Sequence, residues 1–226
     1  MDEARRPTGR GGWRRGAGRP RGRTKVGHIT RERFAARYPL HVTLRVAEGV
    51  GSLRKGRVVK VVRGVIAAGG RRDAFRVVEF NVLGNHVHLV VEAGGAEALA
   101  RGMQGLNVRL ARRINAVLGR SGKLFAERYH ARSLRTPRDV RNVLRYVLLN
   151  ARHHAAERGE TMWRGWVDPC SSGAWFHGWK GAMRRDVEWL ELLRKETRPT
   201  AVARTWLLVE GWKKNGGGLI GIDEVP

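Results

Sequence analysis

Two short runs carry side chains able to do chemistry together. In Asn85-His86-Val87-His88-Leu89, two imidazoles stand two residues apart. On a β-strand, residues i and i+2 point the same way. Both rings then share one face, with Val87 on the other, and their nitrogens can converge on one metal ion. Two ligands are too few for a stable site, so a third must come from elsewhere; the alternative is a polar sheet face that holds no metal. The second run contains Tyr146 and Asn150, four residues apart and hence stacked on one face of a helix. Asp139, Asn142, Tyr146, Asn150 and His153 form a polar line beside the apolar stripe of Val143 and Val147. One reading is a phenol presented to a ligand, with an amide oxygen beside it that completes a metal shell. The other is a boundary tyrosine with its ring on the core and its hydroxyl in water.

Positioning these groups requires a sheet and at least one helix, and residues 38–158 carry the matching periodicities. His41 to Val46 alternates and is rich in β-branched residues, which predicts a strand. Ser52 is a candidate cap for a helix whose apolar face is Val58, Val59, Val62, Val65 and Ile66. Phe75–Val82 and His86–Glu92 read as two strands joined at Gly84-Asn85, residues that tolerate positive φ. A helix over about 96–118 follows, with Leu99, Met103, Leu106, Leu110, Ile114 and Val117 as its buried stripe. Leu124–Leu134 is predicted as a strand. Thr136-Pro137-Arg138-Asp139 is a strong helix start, with Thr at the N-cap, Pro at N1 and an acid at N3, and the helix runs to about Glu157. Strand, helix, two strands, helix, strand, helix is the layout of an α+β ferredoxin-like antiparallel sheet with helices on one face, plus one further helix.

The flanks differ in composition. Residues 1–37 hold 12 Lys+Arg against 3 acids, too few apolar residues to bury, and read as a disordered basic arm. Within it, Gly18-Arg19-Pro20-Arg21-Gly22-Arg23 is similar to a minor-groove hook, although a phosphate-binding arm explains the same composition. Residues 159–226 hold 10 Lys+Arg, 9 acids and seven of the eight tryptophans. Their indoles are not interleaved with basic clusters, so packing against residues 38–158 is expected rather than base stacking. A short helix is predicted over Val202–Trp212.

The chain of 226 residues has a formal charge of +25, which points to a polyanionic partner. No apolar run approaches the roughly 20 residues needed to span a bilayer, and the arginine-rich start lacks the apolar stretch of a secretory signal. Nucleic acid is therefore expected, with no membrane. The single Cys170 excludes an internal disulfide and fits a reducing cytoplasm, where a nucleoid-associated protein would reside. Arg101, Arg109, Arg112 and Arg113 lie outside the stripe of their helix, as a solvated face or a phosphate track. Arg128, His130, His153 and His154 read as surface or DNA-backbone groups, His41 as structural, and Tyr129 as a rival phenol that lacks a helical Asn partner.

His86-Val87-His88 resembles the HUH motif, and Leu144-Arg145-Tyr146-Val147-Leu148-Leu149-Asn150 resembles the catalytic helix of single-tyrosine HUH transposases. Gly122 to His130 (GKLFAERYH) looks like the segment that precedes that helix in the REP-associated tyrosine transposases and their insertion-sequence relatives. The resemblance spans about 38–158. One departure is Ala151, where relatives often have Pro after the Asn; its effect on the helix is small. The resemblance implies the HUH nuclease fold, with Mg2+ or Mn2+ held by His86, His88 and Asn150. It implies Tyr146 as a nucleophile that leaves a 5′-phosphotyrosine and a free 3′-hydroxyl. It also implies single-stranded or hairpin DNA as the partner and a monomer or homodimer. DNA contacts are expected at Arg101, Arg109, Arg112, Arg113, Arg128 and His130. A non-catalytic nucleic-acid-binding protein that keeps the fold is the alternative. A replication initiator or relaxase would usually carry accessory domains that this length does not hold.

Overall fold

The computed structural model describes residues 34–183, 188–214 and 217–226. The Gly/Arg-rich arm up to residue 33, including the run at 18–23, lies outside them. The chain runs β1 (Leu40–Arg45), α1 (Gly56–Gly69), β2 (Arg71–Arg72), β3 (Phe75–Val82), β4 (His86–Ala93), α2 (Ala96–Leu118), β5 (His130–Ser133) and α3 (Pro137–Glu157). The sheet order is β2-β3-β4-β1-β5, and every pairing is antiparallel. This is the expected α+β, ferredoxin-like order, with β2 as a two-residue addition at one edge.

Alternation along the strands creates two chemically different faces. Leu40, Val42 and Leu44 of β1, with Val87, Leu89 and Val91 of β4, join α1 and α2 in one apolar core. The opposite face carries His41, Thr43 and Arg45 on β1 and His86, His88, Val90 and Glu92 on β4. That face is covered by α3, whose Val140, Val143, Leu144 and Val147 form a second core with Val78, Val90, Phe176, Leu208 and Trp212. Val78 belongs to this second core as well, and a β-bulge between Val77 and Glu79 keeps Phe80 in the first.

The segment beyond α3 contributes a 3-10 turn (Gly173–Trp175), β6 (Trp179–Lys180), α4 (Glu188–Lys195), a π-helical stretch (Leu207–Gly211), α5 (Trp212–Lys214) and β7 (Ile220–Gly221). It satisfies the outer edge of β3, which would otherwise expose unpaired backbone. Val82 N–H donates to the Cys170 carbonyl (2.9 Å), Ser172 N–H to that of Phe80 (2.9 Å) and Ala201 N–H to that of Val77 (2.8 Å). Trp212 is buried against α3, in line with the expected packing, whereas Trp175 is buried within the last segment beside Leu193, and Trp163 and Trp206 are exposed. Cys170 is a buried thiol whose pKa burial pushes up to about 11.

Four local expectations change. Ser52 does not cap α1: Lys55 occupies the N-cap without a side-chain bond, and Ser52 Oγ accepts from Arg54 N–H instead (3.2 Å). Gly84 and Asn85 make their turn without positive φ. The strand expected over Leu124–Leu134 is confined to His130–Ser133, because Leu124 and Tyr129 both turn into the first core and break the alternation. The last helix begins at Trp206 rather than Val202. Before it, residues 201–204 form no helix or strand, and the Glu92 carboxylate accepts from the backbone N–H groups of Arg204 (2.9 Å) and Thr205 (2.6 Å). The predicted start of α3 is present as drawn, with Thr136 and Asp139 forming a reciprocal capping box.

Glu79 ties the last segment to the sheet. Ser172 Oγ donates to one carboxyl oxygen (2.5 Å) and Arg198 to the other (3.1 Å). Burial raises its pKa from 4.5 to about 7. Between those values the folded protein holds a proton that the unfolded chain has released, so this group's contribution to stability falls as pH rises through the window. Urea denaturation from pH 4.5 to 8 should show that decline in the wild type and a flatter profile in Glu79→Gln. Equal slopes in the two proteins would contradict the assignment.

Candidate functional site

The site grows out of the polar face of β1 and β4. Antiparallel pairing sets Thr43 opposite His88 and Arg45 opposite His86, while Asn81 of β3 pairs with His88 from the other side. The helix that covers them is held in place by Asn81, whose amide donates to the Val147 carbonyl (2.7 Å). Val147 and Asn150 are three residues apart and both are fully buried, so they share the side of α3 turned to the sheet. Tyr146, half-buried, places its ring edge-on to His88 at 5.1 Å and to His41 at 6.0 Å between centroids. The rings of His86 and His88 lie 4.6 Å apart, nearly perpendicular. The paired imidazoles and the phenol of one chain therefore face one another.

Hydrogen bonding leaves the same ring nitrogen available on both histidines. The Asn85 side-chain oxygen accepts from His86 Nδ1 (2.6 Å), which leaves Nε2 with its lone pair. His88 Nδ1 is engaged by His41 Nε2 (3.0 Å) and Thr43 Oγ1 (3.2 Å). His88 Nε2 is buried with no hydrogen-bond partner, as are both amide atoms of Asn150. Buried polar atoms are rarely left in this condition unless something else satisfies them. The imidazoles are also held neutral, as ligation requires. Burial first, then neighbouring cations and rings, lowers His88 to about 3 and His41 to about 4; burial, His154 and Arg45 lower His86. Two imidazole nitrogens and an amide oxygen suit a small divalent cation. Among the described residues, no group of three or more His, Cys, Asp and Glu side chains could hold a metal ion; an amide as third ligand falls outside that set.

The other sequence-derived candidates separate. Tyr129 is only 9% exposed and sits in the α1/α2 core, across the sheet from the histidines. α2 packs on that same far side, so Arg101, Arg109, Arg112 and Arg113 are not brought to the site. Arg101 pairs with Glu97 one turn away (2.8 Å), and Arg109 lies so close over the end of α1 that a Cβ at Gly69 would collide with it. Arg112, Arg113 and Arg128 are exposed. His130, exposed on β5 opposite Thr43, lies on the site's own face. His153 and His154 both approach Glu157, at 3.3 and 2.7 Å.

Sequence reasoning missed the partners around the histidines. His41, read as structural, bonds directly to His88, and Arg132 stands opposite His41 on β5. The signal was present in the alternation His41-x-Thr43-x-Arg45: once β1 is paired with the HxH strand, its polar residues must share the histidine face. Asn150, on the polar line of α3, is fully buried because it lies on the side of the helix turned to the sheet.

A family model described as "Transposase IS200 like" matches residues 36–150. Among solved structures, a REP-associated tyrosine transposase bound to a REP hairpin aligns over 60% of this chain and 76% of its own, with 13% identity and a TM-score of 0.44. A protein from Deinococcus radiodurans R1, titled a "putative transposase", aligns over 62% and 100%, with 14% identity and a TM-score of 0.36. No curated protein matches.

Asn150 supplies a direct check on why an unsatisfied amide is kept in this position. Asn150→Leu exchanges two partnerless polar atoms for carbon of similar volume, a change expected to be neutral or stabilising in metal-free protein, by up to about 1–3 kcal/mol. Chemical denaturation in chelator measures it. Marked destabilisation would mean that the amide is satisfied within the fold and serves structure.

Proposed function

The chain belongs to the IS200-like transposase family, and from that membership we propose that it cuts and rejoins single-stranded DNA through a covalent bond to Tyr146. The observation that carries this reading is the placement of the Tyr146 ring 5.1 Å from His88, the histidine whose buried Nε2 has no partner.

His86, His88 and Asn150 would hold the divalent ion, Mg2+ or Mn2+. When bound, such an ion polarises a phosphate oxygen and eases ionisation of a nearby hydroxyl. The residues of the chain do the rest. An unperturbed phenol has a pKa of about 10, so orientation matters more than intrinsic acidity. The rings of His88 and His41 both adjoin the Tyr146 ring, and α3 is fixed to the sheet by Asn81, so the phenol is held beside the imidazoles. Its oxygen attacks phosphorus as the bond to O3′ breaks; the phenol loses a proton and O3′ leaves as a hydroxyl. The 5′-phosphotyrosine keeps the energy of the original bond, so a 3′-hydroxyl can later attack it and restore a phosphodiester without ATP.

Arg45, Arg132 and His130 flank this face and are suited to the strand's phosphates. Single-stranded DNA with a hairpin is the proposed substrate, because unpaired bases can be read directly while cations hold the backbone.

Incubating the protein with labelled single-stranded DNA from the flanks of its own gene and Mn2+ should give a protein–DNA band that survives denaturation. Tyr146→Phe or chelator should reduce it to background, and Tyr129→Phe should not. Tight DNA binding without any such band would favour the non-catalytic alternative, and a band that persists in Tyr146→Phe would place the nucleophile elsewhere.

A further inference from the structure

Beyond Asn150, α3 continues past an open cavity of about 670 Å3. His86 and Asn85 form one wall, Ala151 and His154 another, and Trp163 and Trp166 close it from the segment after the helix. At a rise of about 1.5 Å per residue, His154 lies roughly 12 Å along the helix from Tyr146. The cavity therefore opens beside the paired imidazoles, within reach of a chain held by them. Its volume is in the range of small-ligand pockets, which are mostly apolar with a few polar groups that set orientation.

Trp163 is the unusual element. Its side chain is 68% exposed, yet its backbone is firmly held. The Trp163 carbonyl accepts from Arg152 of α3 (2.6 Å), and Arg152 pairs with Asp223 (2.6 Å). Asp223 also accepts from Gly165 N–H (2.8 Å), at a turn where Gly165 takes a left-handed φ of 68°. A large aromatic surface is thus presented to solvent on a fixed support, at the mouth of a cavity that begins at a candidate ligand histidine. The charges nearby are already matched: Arg54 makes a bidentate pair with Asp168 (2.8 and 2.9 Å), and Arg158 pairs with Glu160 (2.6 Å). Recognition here would rest on stacking and hydrogen bonding more than on net charge.

We propose that this cavity takes one unpaired nucleobase of the DNA strand, stacked on Trp163, from a nucleotide next to the phosphate held at the histidines. Asn85, His154 and Thr161 line the same space and supply polar groups for the base edge. The site would select position along the strand, so the proposal rests on the reading above and assigns it a specificity element.

The test uses the full chain and single strands from the flanks of its own gene, with 2-aminopurine, and separately an abasic residue, placed at each position in turn. Binding is measured in chelator by anisotropy and 2-aminopurine emission; covalent capture with Mn2+ is measured in parallel. At one position, emission should be quenched on binding. Trp163→Ala should relieve that quenching and weaken binding about tenfold, as loss of one base stack implies. Trp163→Phe should keep most of the affinity, and an abasic residue at that position should erase the Trp163→Ala penalty. Affinity of Trp163→Ala within twofold of wild type, or a penalty that no abasic position removes, would overturn the pocket. Quenching without covalent capture would leave the pocket standing and remove the cleavage reading. A wild-type chain that bound none of these strands would overturn both.

Discussion

A buried sheet face that carries polar side chains is the constraint around which this molecule is built. Such groups are costly to bury unless they are paired, and here they are paired almost to completion. His41 and Thr43 engage one nitrogen of His88, Asn81 engages the backbone of α3, and Glu79 and Glu92 take their partners from the last segment. Beside the histidines the buried atoms left over are His88 Nε2, Asn81 Oδ1 and the Asn150 amide, on two neighbouring strands and the helix that covers them. Buried atoms without a partner are where an external ligand gains most from binding.

The same logic governs charge. The chain is strongly basic, yet the acids after α3 are spent on particular arginines: Asp168 on Arg54, Asp223 on Arg152, Glu224 on Arg141 and Arg145. These pairs fasten the last segment to the turn before α1 and to α3, and leave cationic side chains elsewhere for a polyanion. The C-terminal segment also packs with α3, through Phe176, Leu208 and Trp212 of the second core.

Much of the architecture could be read from periodicity, because α1, α2 and β4 each obey one rhythm along their whole length. The capping box of α3 was legible from four residues. Elements whose residues answer to more than one neighbour were not. Leu124 and Tyr129 both enter one core and so abandon strand alternation, and the stretch before Trp206 is not helical where Glu92 binds its backbone. In the candidate site, the histidine pair and the Tyr–Asn helix could be seen as separate local patterns. The bond between His41 and His88 could not, because it depends on the register between strands far apart in sequence.

The bulge in β3 acts as a phase shifter. Upstream of it, Val77 belongs to the alternation of the α1/α2 core; downstream, Phe80 and Val82 do, with Val78 and Glu79 absorbed on the opposite side. An uninterrupted ladder through the same residues would set Glu79 across from Leu89 and Phe80 across from His88. A carboxylate would then enter the apolar core, and a benzyl ring would replace Asn81 beside the imidazoles. One additional residue in one strand thus decides whether an amide or a hydrocarbon borders the histidines.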